Sequence, residues 1–148
     1  MRKIPPPIWA ALAIMLTLGA SALAPSLPLI DQRFAPLGLV LALIGLVISV
    51  WSVILFGRAG TDVRPDSPTN KALIVNGPYH VTRNPMYLGL VLITLGAAFW
   101  LRMPLVFLAP VITFAICSAV HIPMEEAKMG AQFGAAFDDY AHKVRRWI

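Results

Sequence analysis

"LGLVLALIGLVISVWSVILF", Leu37 to Phe56, is twenty residues without a single charge. A helix that crosses a bilayer needs about 20 predominantly apolar residues, because the hydrocarbon core is ~30 Å thick and each helical residue rises about 1.5 Å. This stretch meets that requirement. The rest of the chain agrees with it: of 148 residues, 58% are hydrophobic and only 13% charged, where a soluble domain carries about 25% charged residues. The composition predicts an all-α polytopic membrane protein, a single integral-membrane domain over residues 1–148. Nothing reads as a strand or an internal repeat.

Three more apolar runs lie around this one. Upstream, "IWAALAIMLTLGASALA" covers 8–24 and follows Arg2 and Lys3. A basic start, an apolar core and Ala22-Leu23-Ala24 also describe a secretory signal with its cleavage site. Pro25 directly after that site should impede cleavage, so a retained first helix is expected. Downstream, spans are expected over 86–101 and 105–122. The "RMP" between them, Arg102 to Pro104, is short enough to predict a tight antiparallel hairpin. Small residues Gly89, Gly96, Ala97 and Ala98 in the third span predict close helix approach.

Basic residues are distributed unevenly. Arg2 and Lys3 precede the first span, Arg58, Arg64, Lys71 and Arg83 follow the second, and Lys128, Lys143, Arg145 and Arg146 follow the fourth. The opposite side holds Arg33 and Arg102. The positive-inside rule then places both termini and the long loop 57–85 in the cytoplasm, with a bacterial inner membrane as the expected location. The net charge of +5 is therefore read as membrane topology and not as a nucleic-acid surface. Trp9, Trp51, Trp100 and Trp147 fall near span ends, as an interfacial belt would. Cys117, the one cysteine, sits in an apolar run and predicts neither a disulfide nor a reactive thiol. No metal site is expected.

After Ile122, Met129, Phe133, Phe137 and Tyr140 recur at three- and four-residue steps, which predicts an amphipathic helix over 124–144. Its acidic start (Glu125, Glu126) and basic end (Lys143, Arg145, Arg146) suit the helix dipole. Two polar clusters then converge on the cytoplasmic side. Tyr79, Arg83, Asn84 and Tyr87 enter the third span within "GPYHVTRNPMYLG", Gly77 to Gly89; His121, Glu125 and Glu126 leave the fourth. His121 and Glu125, four residues apart, share a helix face. Ionisable groups beside hydrocarbon are costly unless paired or useful. They form either a binding site or an Arg83–glutamate staple that locks the hairpin.

"GPYHVTRNPMYLG", followed about three dozen residues later by "EEAKMGAQFGAAFDDYAHKVRRWI", resembles the isoprenylcysteine carboxyl methyltransferase family, itself similar to phospholipid N-methyltransferases. The likeness spans about Leu73 to Trp147. It implies a small multi-span enzyme using S-adenosylmethionine, whose cofactor would meet Tyr79, Arg83, Asn84, Pro85, Tyr87, Glu125 and Glu126. Such a ligand carries a sulfonium, an ammonium, a carboxylate and a ribose, which suit glutamates and an arginine. The acceptor side would fall to His121 and Arg146. This chain departs from the family pattern at Asn84, where the family usually has histidine, and at His121, where prenylcysteine enzymes have an arginine that holds the substrate carboxylate. Phe137 replaces a tyrosine and Arg145 a proline.

The expected function is methylation of a lipidic or small amphipathic acceptor, with carboxyl methylation leading. Alternatives are phospholipid or amine N-methylation, a membrane NADPH-dependent reductase, and a non-enzymatic membrane scaffold. The expected partners are that acceptor and membrane lipid, with no nucleic acid; four short spans are compatible with a homodimer.

Overall fold

Each apolar run forms a helix in the computed structural model, which describes residues 4–24, 29–60 and 72–148. Helix α1 is Pro6–Leu23 and α2 is Ala35–Arg58, introduced by a 3-10 turn at Gln32–Phe34. Helix α3 is Pro85–Leu101. After a 3-10 turn at Pro104–Phe107 come α4 (Leu108–Ile116), a π-helical turn at Cys117–His121, α5 (Ile122–Phe133) and α6 (Ala135–Lys143). No strand occurs among the described residues. Arg2, Lys3, Arg64 and Lys71, which contribute to the charge asymmetry, lie outside the described residues, as does the middle of the 57–85 loop.

Three helical stretches are long and apolar enough to cross a membrane: Pro6–Leu23, Gln32–Arg58 and Pro104–Phe133. The fourth, Pro85–Leu101, is a shorter apolar helix of 17 residues. Large apolar side chains lie open along the outer faces, among them Met15, Leu16, Val47 and Val111. A face of that kind is favourable against lipid and unfavourable against water.

One feature differs from the sequence reading. The fourth span does not end at Ile122 with a separate helix over 124–144. It continues through the π turn into α5 and stops at Gly134, so Glu125 and Glu126 lie on the same long apolar helical stretch, Pro104–Phe133. Gly134 has φ +50°, a conformation open mainly to glycine because it has no Cβ. It turns the chain into the short α6.

A second point concerns the partner of the small residues of α3: the close approach expected of them is made, and it is made to α2. Gly38 and Gly45 of α2 meet Gly96 and Gly89 of α3, seven residues apart on each helix. A Cβ built on Gly45 would lie 2.5 Å from the carbonyl oxygen of Gly89, and one on Gly38 would lie 2.5 Å from that of Gly96. The two backbones are therefore in direct contact, as small-residue seams permit. Helices α2 and α3 form the most extensive helix pair, while α1 packs chiefly on α4 and the turn before it. On the side of the expected outer loops, Ile30 N–H donates to Arg102 O and Arg102 Nε donates to Ile30 O, both at 2.8 Å. This two-way clasp holds Arg102 in the left-handed region at φ 62°.

Candidate active site

The mouth of α3 is assembled from the turn upward. Gly77 has φ +64° and packs so closely on Leu55 and Trp51 of α2 that a Cβ there would sit 3.0 Å from Leu55 Cδ1. The 3-10 turn Gly77–His80 thereby rests on the end of α2. Tyr79, buried, sets its ring 5.8 Å from that of Phe56. Burial raises the Tyr79 hydroxyl above its usual pKa. From α6, Tyr140 donates its hydroxyl to Tyr79 O at 2.7 Å. Burial pushes the Tyr140 pKa up to about 12.

Pro85 is the first residue of α3, where its missing N–H leaves no helical acceptor unfilled. Asn84 stands at the cap position before it but makes no side-chain cap. Its Nδ2 donates instead to Arg146 O at 2.9 Å, and Thr82 Oγ1 donates to the same oxygen at 3.0 Å. Arg83 N–H donates to Arg145 O at 2.9 Å. The segment after α6 is thus strapped across the entrance to α3.

One turn into α3, Tyr87 donates its hydroxyl to Glu125 Oε1. Glu126 pairs with two arginines: Arg83 at 3.4 Å, and Arg146 through a fork with Nε at 3.2 Å from Oε1 and Nη2 at 2.5 Å from Oε2. The hydrogen bond to Glu126 raises the Arg146 pKa. His121, last residue of the π turn, is 0% exposed, with its ring centroid 6.2 Å from that of Tyr87. Among the described residues, neither His121 nitrogen has a hydrogen-bond partner, and neither has Arg83 Nε.

The clusters at the two helix ends therefore meet: Tyr87 with Glu125, Arg83 with Glu126. The staple foreseen as one option is present, but it takes Glu126 and leaves Glu125 to Tyr87. Arg146, assigned with His121 to the acceptor side, pairs with Glu126. Four contributors escaped sequence reading: Thr82, Tyr140, the Arg145 and Arg146 carbonyls, and Trp147. Trp147 is no belt residue. Its indole stacks on Phe114 at 4.6 Å and packs on the buried group of Tyr87, Cys117 and Ile122. Trp51 and Trp100, 50% and 57% exposed, do lie on the outside.

With this geometry in hand, comparison with known proteins is specific. A model of the phospholipid methyltransferase family matches residues 34–136, from the turn before α2 into α6. The chain belongs to the phospholipid methyltransferase family. Within that family it is similar to enzymes of the isoprenylcysteine type. A probable protein-S-isoprenylcysteine O-methyltransferase of Oryza sativa subsp. indica is 33% identical over 108 residues, covering 72% of this chain and 56% of the relative. Protein-S-isoprenylcysteine O-methyltransferase A of Arabidopsis thaliana is 27% identical over the same length. An uncharacterized protein of Haemophilus influenzae is 36% identical over 63 residues, 43% of this chain and all of that protein. This family member spans about half the length of its plant relatives. No solved structure matches it.

The residues present suit the methyl donor such a family implies. Glu125 accepts one hydrogen bond from Tyr87, whereas a carboxylate has about four acceptor sites. Among the described residues the buried Arg83 Nε has no partner, and it is a donor suited to a carboxylate. The fit for S-adenosylmethionine is therefore chemical: anionic groups for its ammonium and ribose hydroxyls, a guanidinium N–H for its carboxylate.

Proposed function

We propose that the protein is an integral-membrane methyltransferase that uses S-adenosylmethionine to methylate a lipidic or small amphipathic acceptor at the cytoplasmic face. The observation that carries this reading is the Tyr87–Glu125 hydrogen bond beside the Arg83–Glu126 pair. It joins the entrance of one spanning helix to the cytoplasmic extension of another. Bound donor supplies a methyl group activated by its sulfonium. The chain's own residues bind, orient and exclude water: Glu125 and Arg83 anchor the donor, Tyr87 fixes the Glu125 carboxylate, and Tyr79, Asn84 and Pro85 shape the wall. Glu126 holds Arg83 in place. Alignment and exclusion of water carry most of the rate, since an in-line displacement on an already ionised carboxylate needs no base.

Carboxyl methylation is the leading reaction because the plant relatives bear that name. Amine methylation is the second, since the matching family model describes phospholipid methyltransferases. Here His121 would take the proton released by the amine.

Titration of the protein in lipid nanodiscs with S-adenosylmethionine, its demethylated product and NADPH tests the reading. Saturable binding of the first two is expected. Glu125→Gln should weaken it about ten- to hundredfold, the worth of a hydrogen bond to a charged group. Binding of NADPH alone would point to a reductase. No binding at all, together with a lower melting temperature for Glu125→Gln, would point to a scaffold.

A further inference from the structure

The segment beyond α6 covers something. Trp147 lies against Phe114 and the cluster of Tyr87, Cys117 and Ile122, on which Leu90 also packs, an apolar seat between α3 and the π-turn end of the long helix. That seat adjoins the reaction centre. Tyr87, one of its walls, holds Glu125 and faces His121, whose two ring nitrogens find no partner among the described residues. The seat also reaches the bilayer side, where Phe114 is 44% exposed and Val111, one turn away, is 60% exposed. What holds the indole down is polar. The Arg145 and Arg146 carbonyls accept from Arg83 N–H, Thr82 Oγ1 and Asn84 Nδ2, and the Arg146 fork grips Glu126 from a half-exposed position. Polar latches of this kind release more cheaply than a packed core, because water replaces their hydrogen bonds.

We infer that Trp147 occupies the seat for the acceptor's hydrocarbon chain and acts as a plug that a lipid displaces. The inference rests on the methyltransferase reading of the neighbouring site. The occupant is a hydrocarbon chain without polar atoms along its length, because Leu90, Phe114, Cys117 and Ile122 offer only apolar and aromatic surface. It enters sideways past Phe114, and its polar end comes to rest at His121. The plug keeps the seat closed to water until a chain arrives, and Trp147 thereby sets how readily acceptors bind.

The test uses the full chain in nanodiscs with Trp9→Phe, Trp51→Phe and Trp100→Phe, which leaves Trp147 as the one tryptophan. The probe is a farnesyl thioether acid. Added stepwise, it should shift Trp147 emission to the red and raise its quenching by acrylamide, both saturably, as the indole leaves the seat. Arg146→Gln in the same background, with one latch gone, should halve or further lower the half-saturating probe concentration, by about two- to fivefold. Emission and quenching unmoved in both backgrounds would overturn the inference. S-adenosylmethionine binding on the same nanodiscs separates the two readings. Donor binding with an unmoved Trp147 discards the plug and keeps the methyltransferase. A displaced Trp147 without donor binding keeps the lipid seat and discards the methyltransferase.

Discussion

Glu125 and Glu126 are neighbours in sequence, yet their surroundings divide them. Glu126 faces two guanidinium groups, while Glu125 is held by one tyrosine hydroxyl. That division could not be read from sequence, where the pair is equivalent and Arg83 fits either. It depends on where the Arg146 side chain arrives, and Arg146 arrives through backbone contacts to Thr82 and Asn84. Such contacts use carbonyl oxygens, which every residue carries, so residue types do not announce them. Tyr140 is a similar case: its place in an amphipathic pattern gave no hint of the bond to Tyr79 O. That bond yields a prediction about pH. The folded Tyr140 pKa, pushed up to about 12 by burial from the ordinary 10.0, means that folding holds the phenolic proton more tightly. Its contribution is full below pH 10 and is lost as pH rises from about 10 to about 12. Thermal melts across that range should show a decline that Tyr140→Phe flattens.

Among the elements, the apolar runs were legible because a bilayer fixes their length and composition. Which helix packs on which was less so. The glycines of α3 announce a close neighbour without naming it, and the matching heptad spacing of Gly38 and Gly45 on α2 becomes meaningful only once the pair is seen. Backbone contact makes the seam intolerant of added atoms. Gly45→Ala places a methyl against a carbonyl that cannot move aside, and should cost about 1–3 kcal/mol as overpacking does. Gly19→Ala in α1, where a Cβ meets nothing within 4 Å, should be neutral or stabilising by up to about 1 kcal/mol. Melting temperatures in one detergent decide between them; equal losses would contradict the seam. The π turn at Cys117–His121 was invisible for a different reason: π and α turns share the same residue preferences. Gly134 was visible, but a lone glycine inside a helical pattern is often tolerated.

At the scale of the whole molecule, the charges keep their meaning after one of them is accounted for. Arg102, among the few basic residues on the expected outer side, is committed to Ile30 O. Its charge belongs to the clasp between two turns. Orientation with both termini in the cytoplasm remains a proposal from the uneven distribution of basic residues along the sequence. Fusions at residue 148 test it: green fluorescent protein should be bright there and alkaline phosphatase inactive, and the reverse would overturn the topology together with the cytoplasmic placement of the site.

Helix α3 has 17 residues, a length of about 25 Å at 1.5 Å per residue, beside partners that are longer. The hydrocarbon core it must cross is ~30 Å. Such a mismatch is relieved by thinning the bilayer locally, and the thinning falls on the helix whose entrance carries Arg83, Asn84 and Tyr87. If the protein is the methyltransferase proposed above, a water-borne donor and a lipid-borne acceptor are thereby brought to one depth. For that proposed activity membrane thickness becomes a variable, and bilayers of shorter acyl chains are expected to be the more permissive host.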